Sequence, residues 1–122
     1  MLKRLEVENF KGFREKLVFD LLHGDYRFNP DVVSGTFVKN ALVYGKNGSG
    51  KTCLGLAMFD IISHLTDVEQ MDPKYLYAYR NLDAEKSDLV KFRYVFDFDG
   101  VEVDYSYGKD AAKNLAYEKL LL

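Results

Sequence analysis

The chain has 122 residues, 48% of them hydrophobic and 30% charged, with a net charge of −2. That is one domain's worth of sequence with enough apolar material for a core, and its near balance of charge argues against a generally basic nucleic-acid coat. A single cysteine, Cys53, excludes an internal disulfide framework and fits a reducing cytosol; no apolar run reaches the roughly 18 residues of a membrane span, so the expected location is the cytoplasm.

In chain order, residues 2–9 alternate between Leu2, Leu5, Val7 and the charged Lys3, Arg4, Glu6, Glu8, with one slip. Residues 16–22 alternate as well, and Phe10-Lys11-Gly12-Phe13 between them carries a glycine suited to a turn, which predicts a β-hairpin. Residues 23–36 collect Gly, Asn, Pro, Asp and Ser and read as a loop. Residues 37–44 are apolar and partly β-branched, and predict a buried strand. From Lys51 to about Leu65 the apolar residues cover most of the helical circumference, which predicts a helix buried on more than one face. Residues 67–87 are polar, with a short helix expected around 75–80. Residues 89–98 place Val90, Phe92, Tyr94, Phe96 and Phe98 on one side; Asp99-Gly100 signals a hairpin turn, and Val101, Val103, Tyr105 and Tyr107 continue on a second strand. Residues 115–122 fit a strand or a helix. Nine tyrosines and nine phenylalanines, with no tryptophan, agree with β-rich packing.

Between the predicted buried strand and the helix lies Gly45-Lys46-Asn47-Gly48-Ser49-Gly50-Lys51-Thr52, which satisfies the phosphate-loop pattern G-x-x-x-x-G-K-[ST]. The spacing has a chemical reason. A phosphate needs several donors converging on it, and successive backbone N–H groups wrapped into a nest provide them. Wrapping of that kind calls for positive φ and no Cβ, hence Gly45, Gly48 and Gly50. The helix beginning near Gly50 adds unpaired N–H groups and the positive end of its dipole. Lys51 is placed to bridge the β- and γ-phosphates, and the Thr52 hydroxyl to ligate Mg²⁺. Cys53 follows directly at the end of the expected nucleotide-binding run; a helix N-terminus lowers a thiol pKa, but the residue reads as a small buried helix residue. The ligand expected from this pattern is ATP with Mg²⁺.

The finer form G-x-N-G-S-G-K-T, the preceding strand ending in Tyr44, and the upstream hairpin LKRLEVENFKGFREKLVFDL together resemble the N-terminal lobe of ABC-type ATPases of the SMC, RecF and OLD-like group. The likeness is greatest to the stand-alone AAA family ATP-binding proteins of bacteria. Asn9-Phe10-Lys11-Gly12-Phe13 matches that family's Asn-Phe-basic-x-Phe turn, and the resemblance covers most of the chain. It implies an α/β fold over residues 1–122: a P-loop nucleotide-binding lobe with a mixed sheet, one central helix after the P-loop, and an antiparallel β-subdomain. Lys11 resembles the basic residue that leans over the nucleotide phosphates. The implied reaction of the family is ATP hydrolysis, by two domains packed head to tail, in DNA repair, nuclease gating or phage defence. Nucleic acid is an implied partner of such a protein; a membrane is not.

The departures are as informative. The family's apolar run ending in Asp-Glu is missing, and so is its signature Ser-Gly segment. The only glutamine, Gln70, stands in a polar stretch and is not assigned to the metal. Together with the uncapped Leu120-Leu121-Leu122 end, these absences predict the first part of a longer ATPase, one that binds ATP without hydrolysing it. Two rivals remain open: a P-loop kinase or GTPase, disfavoured because there is no Asn-Lys-x-Asp guanine-reading segment, and a non-catalytic interaction module with a vestigial loop. Tyr26 and Phe28 are candidates to stack on adenine or to anchor their loop. His23 and His64 lack companion ligands and read as structural. Asp97, Asp99 and Asp104 read as solvated acids around a hairpin, and Lys3-Arg4 as too few charges to make a patch.

Overall fold

A computed structural model describes residues 1–22, 31, 33–34, 37–38, 40–46, 48, 50–66 and 78–122. Its elements are β1 (Leu2–Glu8), β2 (Leu17–Asp20), β3 (Val33–Ser34), β4 (Phe37–Val38), α1 (Lys51–Thr66), β5 (Val90–Phe98), β6 (Val101–Lys109) and β7 (Leu115–Leu121). Five strands form one sheet in the order β2-β1-β5-β6-β7, and every pairing in it is antiparallel.

The sheet follows from period-two patterning joined by turns of the right chemistry. Asp99 (φ 54°) and Gly100 (φ 88°) both take positive φ, which matches the right-handed twist of the flanking strands; the Asp97 carboxylate accepts the Gly100 amide at 2.9 Å. Asp110 organises the β6–β7 turn by accepting the Ala112 and Asn114 amides, each at 2.9 Å. The pairings Val7↔Phe92, Phe92↔Tyr107, Leu5↔Tyr94 and Tyr94↔Tyr105 put one apolar and aromatic face in register across three strands. On that face Phe92 and Tyr107 stack at 5.2 Å, and Phe10 meets Phe92 edge-on at 5.2 Å. Each such pair contributes about 0.5–1.5 kcal/mol beyond its burial.

Helix α1 lies on this face and buries Leu54, Ala57 and Asp60. Asp60 has no solvent exposure. Its carboxylate accepts the Tyr79 hydroxyl at 2.9 Å, the Tyr107 hydroxyl at 2.7 Å and the Lys109 ammonium at 3.2 Å. Burial, reinforced by Asp60, raises both phenols far above their ordinary pKa, so they remain donors. Burial lowers the Lys109 pKa, and the Asp60 charge opposes that fall. Four residues on, the His64 ring stacks on Tyr107 at 4.0 Å, and its Nε2 lies 2.9 Å from the Tyr105 hydroxyl and 3.3 Å from Glu118 Oε1. Tyr105 gives its own proton to Glu118, so Nε2 satisfies both neighbours only as a donor.

The mixed-sheet α/β lobe expected from the resemblance is not what this chain forms. A buried strand of that kind needs strands beside it and helices on both faces of its sheet. Here, among the described residues of the stretch 37–44, Phe37–Val38 is a strand, and it pairs with Val33–Ser34. Residues 40–45 belong to no strand, and Leu42 and Tyr44 are 86% and 87% exposed. The single described helix covers one face. The other face is ionic: Arg93 donates to Asp104 at 2.6 Å and to Glu6 at 2.8 Å, and a second helical layer would have to desolvate these charges. The hairpins thus form one continuous sheet rather than a separate subdomain. The helix after the octet is present, though buried on one face only: Phe59 and Leu65 are 66% and 60% exposed. Residues 75–77 of the expected short helix lie outside the described residues, and residues 78–80 are not helical. The C-terminal stretch forms the edge strand β7. Asp104, expected to be a solvated acid, is the partner of Arg93.

Removing the buried carboxylate tests the first of these faces. Asp60→Ala leaves two phenols and an ammonium buried without their acceptor and is expected to cost about 3–5 kcal/mol, measured by urea unfolding; a cost below about 1 kcal/mol would show that the cluster does not hold the helix. On the opposite face, burial raises the Glu6 pKa but hydrogen bonding and charge from Arg93 outweigh it, and the same Arg93 contacts lower Asp104. Both carboxyls therefore titrate below their ordinary values of 4.5 and 3.8. Their stabilisation is present above those values and is lost as pH falls through the lower folded ones. Arg93→Met should cost roughly 1–2 kcal/mol at pH 7 and flatten the loss of stability below pH 4.5; an unchanged acid limb in the mutant's pH–stability curve would contradict this.

Candidate functional site

The described residues of the octet lead into the N-terminus of α1. Gly48 and Gly50 take φ of 84° and 102°, the left-handed conformation that L side chains rarely adopt. The Gly50 carbonyl accepts the Leu54 amide at 2.9 Å, so the helix starts where the loop ends. Thr52 is exposed and Cys53 half-buried in its first turn. The Lys51 ammonium folds back to donate to the Gly45 carbonyl and, at 3.3 Å, to that of Lys46. Asn47 and Ser49 lie outside the described residues.

Against this loop stands the turn between β1 and β2. Phe10 and Phe13 exchange backbone hydrogen bonds of 3.0 and 2.8 Å, while Asn9 (φ 56°) and Lys11 (φ 48°) turn the chain through positive φ. The turn is tied down from below. The Lys11 amide donates to Tyr79 O at 3.0 Å, the Asn81 side chain donates to Lys11 O at 2.5 Å, and the Asn9 side-chain amide donates to Leu89 O at 3.1 Å. Turn and loop enclose a cavity of about 360 Å³ walled by Gly12, Phe13, Gly48, Gly50, Lys51, Thr52 and Cys53. Phe13 forms the floor under Gly50, where a β-carbon would stand 3.0 Å from its Cε1.

Lys11 lies beside this cavity, not on its wall. Its ammonium is 5.9 Å from the Phe10 ring centroid. Burial lowers its pKa, and the adjacent Cys53 sulfur opposes that fall. Lys11, Cys53 and Lys51 are therefore brought to one end of the molecule, with Lys46 exposed on the loop. No carboxylate lines the cavity among the described residues, so its electrostatics favour an anion. No group of three or more His, Cys, Asp or Glu side chains could hold a metal among the described residues. The Thr52 hydroxyl supplies one hard oxygen of the kind Mg²⁺ accepts; an ion there would take its other ligands from phosphate and water, and the residues present fit that arrangement.

Sequence reasoning misses Gly12 and Phe13 as wall residues, although their spacing in Asn9–Phe13 is visible there. Tyr26, Phe28, His23 and Gln70 lie outside the described residues. Lys3 and Arg4 are paired with Glu102 at 2.6 Å and with Asp20 at 3.8 Å. A larger cavity of about 620 Å³ between α1 and the sheet is lined by Phe59, Ile62, Leu65, Phe96 and other apolar residues, and carries no charged group. No helix among the described residues is long and apolar enough to cross a membrane. The chain matches no protein-family model, and comparison with curated proteins finds no significant match.

Proposed function

We propose that the protein binds ATP as its Mg²⁺ complex, with the triphosphate seated over the N-terminus of α1. The observation that carries this reading is the cavity itself: left-handed Gly48 and Gly50, Lys51, and Thr52 converge on one space at a helix start. The octet and the Asn9–Phe13 turn support the same reading by resemblance. The mixed-sheet lobe plays no part in it, since a phosphate nest needs only the loop and the first helical turn.

The chain's own groups have separable roles. Backbone N–H groups of the loop and helix start point donors at phosphate oxygens. Lys51 exchanges two carbonyl acceptors for phosphate oxygens, a gain because a charged donor bonds an anion more strongly than a neutral carbonyl. Lys11 adds a second cation next to the same end of the helix. The Thr52 hydroxyl offers its oxygen to Mg²⁺, which when bound neutralises phosphate charge. Hydrolysis needs more than this. An acid or polar group must orient the attacking water, and no described residue on the cavity wall is a carboxylate. Turnover belongs, by resemblance, to an assembly that supplies that group. By resemblance, such an assembly pairs two domains head to tail and serves DNA repair, nuclease gating or phage defence.

Lys51→Ala is expected to weaken Mg·ATP binding at least tenfold, about 1.4 kcal/mol or more, with an unchanged melting temperature in the absence of ligand. Isothermal titration of the two folded proteins decides it, and equal affinities would end the assignment of the octet. A phosphate-release assay on residues 1–122 should find turnover far below the order of 1 per second seen for ordinary enzymes. A rate in that range would mean that a water-orienting group is present in this chain.

A further inference from the structure

We infer that Phe13 is the positioning residue of the triphosphate site, the side chain through which the sheet fixes the phosphate loop; this rests on the reading of the octet given above. The ring does not owe its place to the loop. Phe13 is locked to Phe10 by two backbone hydrogen bonds of 2.8 and 3.0 Å. Phe10 in turn is fully buried and meets Tyr79 and Phe92 edge-on, both at 5.2 Å. The Phe13 backbone is therefore set by the buried Phe10, and its side chain packs against the core cluster.

That ring then decides what the loop can be. A β-carbon at position 50 would lie 3.0 Å from Cε1 and 3.3 Å from Cζ of Phe13, tighter than ordinary van der Waals contact. Gly50 is thus constrained twice, by its φ of 102° and by the ring. Gly48 has an open surround: a β-carbon there would meet nothing within 4 Å, so its requirement for glycine is conformational alone. The asymmetry identifies where the loop is held. The Phe13 ring of the turn stands beside Gly50, one residue before Lys51, where a small displacement would re-aim both the first helical N–H groups and the lysine stem. Gly12 likewise has open space around it, and the ring of Phe13 is the group of the turn that stands against Gly50.

Titration calorimetry with Mg·ATP on wild type, Phe13→Ala, Phe13→Leu, Gly50→Ala, the Phe13→Ala/Gly50→Ala double variant and Lys51→Ala tests the inference. Phe13→Ala should weaken binding about five- to tenfold, and Phe13→Leu, which refills much of the space, should recover affinity to within about twofold. The Gly50→Ala loss should be smaller in the Phe13→Ala background, because the collision is gone and only the φ strain remains. If Phe13→Ala does not fold, the same cycle run with Phe13→Leu must still show a reduced Gly50→Ala loss. Additive losses, or Phe13→Ala binding as wild type while Lys51→Ala fails to bind, would overturn the role of Phe13 and leave the phosphate loop standing. Wild-type affinity in Lys51→Ala would instead remove the reading of the octet and this inference with it.

Discussion

The fold depends on one buried carboxylate. Asp60 sits in the middle of an otherwise apolar helical stretch, fully removed from water, and is met by three donors from beyond the helix: Tyr79, Tyr107 and Lys109. An isolated charge in that position would be expelled. Three donors, one of them cationic, supply most of what water would have supplied. The requirement is strict in geometry, so it sets both the rotation of α1 and its depth on the sheet. Tyr94 adds to it by donating to the Ala57 carbonyl one turn earlier. With the helix fixed in this way, its N-terminus has one place to be, beside the β1–β2 turn.

The consequence for the proposed site is that it is built from local parts, held against the scaffold at the β1–β2 turn. Glycines at left-handed φ, a helix start and a lysine are arranged within a few residues of one another. The sheet contributes a wall and a contact. The proposed phosphate site draws on the loop and the first helical turn, so it does not rest on the mixed-sheet architecture that the structure overturns.

Individual hairpins and the helix are legible in the sequence, the architecture that joins them is not, and the failures have physical causes. The two hairpins can be read because alternation has a period of two and Asp99-Gly100 demands the left-handed conformation that it adopts. The octet can be read because its glycines, lysine and threonine stand within eight consecutive residues and match a known pattern. Residues 37–44 mislead because an unbroken apolar run reports burial without naming the partner; with no described strand beside it, Leu42 and Tyr44 face solvent. Asp60 escapes notice because its partners lie 19, 47 and 49 positions away, beyond any local pattern. Its one signal is that it stands as a lone acid inside LGLAMFDIISHL. Gly12 and Phe13 become wall residues only through the packing of a turn against a distant loop. The ionic face is hidden in plain view: Glu6, Arg93 and Asp104 are ordinary polar positions in each strand, and only the register joins them.

A triphosphate bound at the junction of octet, helix start and hairpin turn is the central claim. Amide chemical-shift mapping by NMR during titration with Mg·ATP tests this most directly. The account predicts perturbations concentrated at Gly48, Gly50, Lys51, Thr52 and Cys53, with a second group at Gly12 and Phe13, and little change along β6 and β7. Saturating Mg·ATP that leaves those amides unmoved, or that shifts chiefly the residues of the apolar cavity around Phe59 and Phe96, would contradict it.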